Sequence, residues 1–173
     1  MQNFNIHIAT ADHLADANAV IANAIRAWPT TERLIRRAAP VLSYDQQDLL
    51  DHEIIQIVVD KRTIAIGAWQ TKNRLRDPDG NHSALLHGLY IQTTAQKRGL
   101  GQQLQKFIAR RASLAGFHGL HVKAERFAAA YFEHCGYRQL SPQDQPQPRN
   151  TPYPHWFWQS CLSIEANDLT DAG

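Results

Sequence analysis

Lys97-Arg98-Gly99-Leu100-Gly101 sets two glycines one residue apart behind a basic pair, and an amphipathic pattern begins at once. The first N–H groups of a helix have no partner within the helix, and they sit at the positive end of its dipole. Such donors hold phosphate groups. Gly99 and Gly101 lack a Cβ, so an anion can approach the backbone. Lys97 and Arg98 add positive charge beside it. The spacing fits a pyrophosphate site; it also fits a plain strand-to-helix turn. A dinucleotide fingerprint would need glycine at position 104, where this chain has Leu104. A P-loop needs Lys and then Ser or Thr after its glycine, and neither glycine is followed that way.

Other reactive side chains give less. Cys135 and Cys161 lie far apart with no C-x-x-C, which reads as a reduced, cytoplasmic protein. Cys135 reads as a buried structural thiol. Of the nine histidines, His118 and His121 are three apart, but Gly119 follows His118 and argues for a turn entering a strand; no metal site is expected. The formal net charge of +2 makes no case for nucleic acid or an acidic membrane. No apolar run reaches the roughly 20 residues that span a bilayer, and the N-terminus does not read as a secretory signal. The 173 residues read as a single domain, 1–173.

The elements that must position this chemistry follow from periodicity. "NIHIAT" alternates and reads as a strand. Thr10 caps a helix whose face carries Leu14, Ala17, Ile21, Ala24, Ile25 and Trp28, with Pro29 ending it. "TTERLIRRAAP" reads as a short helix stopped by Pro40, and "SYDQQDLLDHE" as another short helical piece capped by Ser43. "IIQIVVD" and "TIAIGAWQ", separated by Lys61 and Arg62, read as a hairpin. "RDPDGNH" is a loop and "SALLHGLYI" a strand that leads into the glycine turn. Leu100, Leu104, Phe107, Ile108, Arg111 and Leu114 mark a long helix closed by Gly116. "GLHVKAE" reads as a strand, "RFAAAYFEHC" as a helix stopped by Gly136, "YRQL" as a short strand and "HWFWQSCLSI" as the last one. The tail from about residue 165 reads as frayed. The order β-α-α-β-β-β-α-β-α-β-β predicts an α/β protein with a mixed sheet covered by helices on both faces.

Gln96-Lys97-Arg98-Gly99-Leu100-Gly101 matches the Q/R-x-x-G-x-G/A signature, and "AAAYFEHCGYRQL" resembles the A-x-x-F-Y-x-x-x-G-F segment, of the GNAT superfamily of N-acetyltransferases. The match covers about residues 83–140. The resemblance implies a mostly antiparallel central sheet of about six or seven strands with helices on both faces. It also implies acetyl-CoA as co-substrate and no metal. In that family's terms, Gln96, Lys97, Arg98, Gly99, Leu100, Gly101 and Gln102 would line the cofactor site, with the backbone amides of Arg98 to Gly101 holding the pyrophosphate. The backbone of Leu89, Tyr90 and Ile91 would pair with the pantetheine arm as an added strand would. The thioester would lie where the "GLHVKAE" strand diverges from its neighbour.

Amide formation needs a neutral amine, and a lysine-like ammonium with pKa about 10.4 costs roughly 4–5 kcal/mol to deprotonate at pH 7. The family often uses a Glu on the strand before the glycine loop, and this strand has no acid. Leu85, His87, Leu89 and Ile91 share one face by period 2. His87 is the candidate general base, with an intrinsic pKa suited to the task; its alternative is a half-buried polar residue filling the sheet. The family's general acid is often a Tyr where this chain has Phe132, read here as packing beside the cofactor. Tyr131 is the substitute acid candidate, with core packing as its alternative. The acceptor pocket implied by the resemblance is bordered by Trp28, Tyr153, His155 and Trp156, through stacking or cation–π contact with an amine; the alternative is that one alternating set of this aromatic strand, His155 with Phe157 or Trp156 with Trp158, packs in the core. The expected activity is acetyl transfer to a small-molecule primary amine in a ternary complex, by a monomer or homodimer. The alternative is a catalytically weak acyl-CoA-binding sensor or interaction module.

Overall fold

The computed structural model describes residues 4–146 and 155–167. Seven strands, β1 (Asn5–Ile8), β2 (His52–Val59), β3 (Arg62–Arg76), β4 (His82–Ile91), β5 (Gly119–Ala124), β6 (Arg138–Gln139) and β7 (His155–Ser160), form one open sheet in the order β1-β2-β3-β4-β5-β7-β6. The β1–β2, β2–β3, β5–β7 and β6–β7 pairs are antiparallel. The β4–β5 pair is parallel, in register from Ser83↔Gly119 to Leu86↔Val122. A parallel pair needs a crossover, which α3 (Leu100–Leu114) supplies. The remaining helices are α1 (Leu14–Arg26), α2 (Glu32–Leu42), α4 (Ala129–His134) and α5 (Cys161–Ala166). The mixed α/β class and the mostly antiparallel sheet agree with the sequence reading.

The chain forms two compact units: residues 1–70 with 87–104, and residues 71–86 with 105–173. In the first, Val20, Ile21 and Ile25 of α1 bury with Ile54, Ile66, Tyr44 and Tyr90. In the second, Leu120, Trp156, Phe157 and Ile108 are fully buried.

Four local readings change. Pro40 lies inside α2, which runs on to Leu42. Proline loses its own N–H and crowds the carbonyl four residues back, but its fixed φ is helical; the helix continues past it, with Ser43 N donating to Ala39 O at 3.1 Å. Ser43 therefore closes α2, its Oγ donating to the same carbonyl at 2.7 Å. Asp45, not Ser43, organises the following 3-10 turn Asp48–Leu50: its Oδ1 accepts from Gln47 N at 2.7 Å and Asp48 N at 3.1 Å. The hairpin turns at Asp60-Lys61, with φ of 48° and 63°, so Arg62 already belongs to β3. Those left-handed values match the twist of a two-residue hairpin. The last strand stops at Ser160, whose Oγ accepts from Ser163 N at 3.1 Å and starts α5. Cys161 and Ile164 bury at helical spacing, which local alternation in "HWFWQS" did not reveal.

Candidate functional site

β4 leads directly into the glycine turn. Gln92 N donates to Ile64 O at 2.9 Å, tying the end of β4 to β3. Asn23 Oδ1 of α1 accepts from Thr93 N at 2.9 Å and holds the 3-10 turn Thr93–Ala95. Gln96 is extended, and its side chain reaches back toward Ile91 O at 3.4 Å. The backbone then passes through the left-handed region twice, at Lys97 (φ 60°) and Gly99 (φ 72°). A side chain at Lys97 is unusual in that region. Around the place where a Cβ on Gly99 would stand there is nothing within 4 Å, so space is left for a ligand atom. α3 starts at Leu100, which is buried and anchors the turn from below. Gln103 N donates to Gly99 O at 3.1 Å, so the helical bonding of α3 begins at the glycine turn. Gly101 sits inside the first turn of α3, buried, while Lys97, Arg98 and Gly99 are exposed. The Arg98 side also borders an open groove of about 500 Å³ that Asp60, Arg62 and Gln92 help to line. His87 is not part of that groove.

His87 is exposed on β4. Its Nδ1 is 2.8 Å from Tyr44 Oη, and its ring makes an edge contact with His52, centroids 4.6 Å apart. Tyr44 closes the triangle, 5.6 Å from His87 and 5.8 Å from His52. Tyr44 itself is 4% exposed. Asn18 of α1 grips its backbone from both sides: Tyr44 N donates to Asn18 Oδ1 at 2.9 Å, and Asn18 Nδ2 donates to Tyr44 O at 2.8 Å. Burial, then the neighbouring Tyr90 and Asp48, hold the Tyr44 phenol well above its ordinary pKa. A Cβ on Gly88 would stand 2.8 Å from Tyr44 Oη, so the glycine lets the phenol come this close. His52 Nδ1 is 3.2 Å from Asp48 O. Tyr44, His52 and Asn18 escaped the sequence reading. Their link to His87 spans 43 residues in the case of Tyr44, and no local period marks it.

In the second unit, Phe132 is 7% exposed, meets Tyr131 and Tyr137 edge-on and lies tilted against Phe157. The hydroxyl of Tyr131 accepts from the buried Gln105 Nε2 at 2.9 Å. Burial first, and Cys135 second, push its pKa above the ordinary tyrosine value. Cys135 is buried and free, as read from the sequence. Trp156 is fully buried, with Lys123 Nζ 4.8 Å from its ring centre. His155 is half-buried and near Gln139 Nε2 at 3.2 Å. Tyr153 lies outside the described residues. Trp28, in the first unit, is half-buried against the α1 core. Two further histidines are tightly placed. His118 Nδ1 is 2.7 Å from the buried Asp77 Oδ2. His121 is fully buried, with no hydrogen-bond partner for either ring nitrogen among the described residues, and burial lowers its pKa to about 4 despite the opposing pull of Asp77. Among the described residues no group of three His, Cys, Asp or Glu could hold a metal ion, and no helix is long and apolar enough to cross a membrane.

The family model for the acetyltransferase (GNAT) domain matches residues 46–147. No curated protein sequence matches the chain. Among solved structures, PaiA N-acetyltransferase from Thermoplasma acidophilum in complex with coenzyme A superposes with a TM-score of 0.70 at 11% identity, over 91% of this chain and 99% of that one. A GNAT family acetyltransferase from Brucella melitensis in complex with acetyl-CoA gives 0.61 at 15% identity, over 86% and 94%. N-acetylglutamate synthase from Neisseria gonorrhoeae, complexed with coenzyme A and N-acetyl-glutamate, gives 0.66 at 15% identity; 93% of this chain matches 36% of that one.

Proposed function

The chain belongs to the GNAT acetyltransferases, and on that premise we propose that it transfers the acetyl group of acetyl-CoA to the primary amine of a small-molecule acceptor. The observation that carries the reading is the turn from β4 into α3. Gly99, at φ 72°, leaves open space in front of the helix start, and Lys97 and Arg98 are exposed beside it. Backbone amides at Arg98 to Gly101 are the donors for the pyrophosphate, where the helix dipole and nearby charge favour an anion. Gln96 and Gln102 flank them. Leu89, Tyr90 and Ile91 follow the last paired residue of the β4–β5 register, Leu86, and lend their backbone to the pantetheine arm. The reaction joins the amine nitrogen to the thioester carbonyl carbon and breaks the carbon–sulfur bond. The thiolate leaves, and the proton released by the amine balances it. Trp28, half-buried beside the α1 core, stays a candidate for acceptor contact through ring stacking, whereas Trp156 is fully buried and offers no ring face to a ligand.

The test is calorimetric titration of the protein with acetyl-CoA and with free CoA, followed by an amine panel. Micromolar binding that Gly99→Val reduces at least tenfold supports the reading, because a β-branched side chain both fills the open space and strains the left-handed backbone. Absence of binding at millimolar acetyl-CoA overturns it. Tight binding without turnover on any amine would favour a sensor or interaction module.

A further inference from the structure

We infer that Tyr44 fixes His87 as the tautomer protonated on Nε2, so that His87 meets the bound thioester as a hydrogen-bond donor to its carbonyl oxygen and not as a base. The argument starts from the phenol. Tyr44 is 4% exposed, and His87 Nδ1, at 2.8 Å, is the one hydrogen-bond partner of its hydroxyl among the described residues. A buried O–H left without an acceptor is costly, whereas an unused lone pair on the same oxygen is tolerated. The hydroxyl therefore donates to Nδ1. An imidazole that accepts at Nδ1 and is neutral carries its proton on Nε2.

The surroundings hold this arrangement in place. Asn18 clamps the Tyr44 backbone through both of its peptide groups. Gly88 removes the one Cβ that would stand against the hydroxyl. The phenol stays protonated because burial raises its pKa. His52 packs its ring on His87, and its own Nδ1 donates to Asp48 O, since a carbonyl can only accept. The rings of Tyr44 and His52 thus fix the plane of His87 as well as its tautomer.

The consequence rests on the acetyl-CoA reading above. The arm of the co-substrate runs back from the glycine turn along Ile91, Tyr90 and Leu89, and His87 is the next outward side chain on β4. Attack on the thioester puts negative charge on the carbonyl oxygen. An N–H aimed at that oxygen stabilises the charge where it develops. Tyr44 is then a positioning residue that acts through His87.

The first readout does not depend on activity: ¹⁵N shifts of the imidazole nitrogens in the histidine-labelled protein near pH 7. His87 should show the Nε2–H tautomer, and Tyr44→Phe, which keeps the ring and removes the donor, should raise the Nδ1–H population. An Nδ1–H tautomer in the unaltered protein overturns the inference, whatever the acetyl-CoA titration shows. The second readout is turnover. His87→Ala should lower it about 10²–10³-fold. His87→Gln, whose amide reaches the place of Nε2 with an N–H, should recover at least tenfold of that loss. A glutamine variant no better than alanine means that His87 accepts a proton, and the donor role falls.

Discussion

His121 shows how much a single buried side chain can govern. Both ring nitrogens lack partners among the described residues, and burial brings its pKa to about 4. In the unfolded chain the imidazole titrates near its ordinary value of about 6.5. Between those values the unfolded state holds one more proton than the folded state, so stability must fall as pH drops. At about 1.36 kcal/mol per pH unit, the loss from neutrality to pH 4 is on the order of 3 kcal/mol. Urea unfolding at pH 7 and pH 5 should show this slope, and His121→Leu should flatten it. An unchanged slope in the variant would assign the acid sensitivity elsewhere. Asp77 acts in the same direction as His121, but in stronger acid. Burial raises its pKa, but His118 and the backbone N–H groups of Asn81 and Asp79 outweigh that and hold it below the usual carboxylate value. Its contribution is present above the unfolded carboxylate pKa and is lost only in stronger acid.

Among the elements, the two helix stops separate backbone strain from crowding. α3 and α4 end alike: Phe117 N donates to Ala112 O, and Tyr137 N to Phe132 O, each at 3.0 Å around a left-handed glycine. At Gly116 a Cβ would meet nothing within 4 Å; at Gly136 it would stand 3.0 Å from Gln159 Nε2 and 3.1 Å from Asn167 Nδ2. Asn167 Nδ2 also donates to Cys135 O. Gly116→Ala should therefore cost about 1–2 kcal/mol from the left-handed backbone alone. Gly136→Ala should cost more, because the two amides must also move. Thermal unfolding of both variants checks the order, and equal losses would mean the amides shift freely. The elements themselves were mostly legible. The hairpin, the long helix after the glycine turn and its stop at Gly116 all rest on short-range periodicity and turn chemistry. The errors at Pro40, Ser43 and Ser160 share a cause. Each of these residues fits two local roles, and the hydrogen bonds its neighbours make decide between them.

For the whole molecule, binding a ligand to the folded state alone must raise stability by mass action. Acetyl-CoA at about 100 times its dissociation constant should add about 2.7 kcal/mol. For a chain of 173 residues that is a rise of roughly 5–10 °C in Tm. Scanning calorimetry with and without acetyl-CoA tests it, and an unchanged Tm would count against the proposed co-substrate.

The sequence by itself determined the strand–turn–helix from Leu89 to Leu114, because its ingredients are neighbours along the chain. Glycine conformational freedom, a basic pair, and an apolar face at helical spacing act over a few residues, so spacing alone exposes them. It also carried the family signature and the mixed α/β class. Only the tertiary structure decided what surrounds His87. Tyr44 and His52 reach it from a loop and a strand that are distant in sequence, and Asn18 of α1 holds Tyr44 in place. A hydrogen bond across 43 residues leaves no period in the chain, since its partners need only meet once the α1 core has closed around Tyr44.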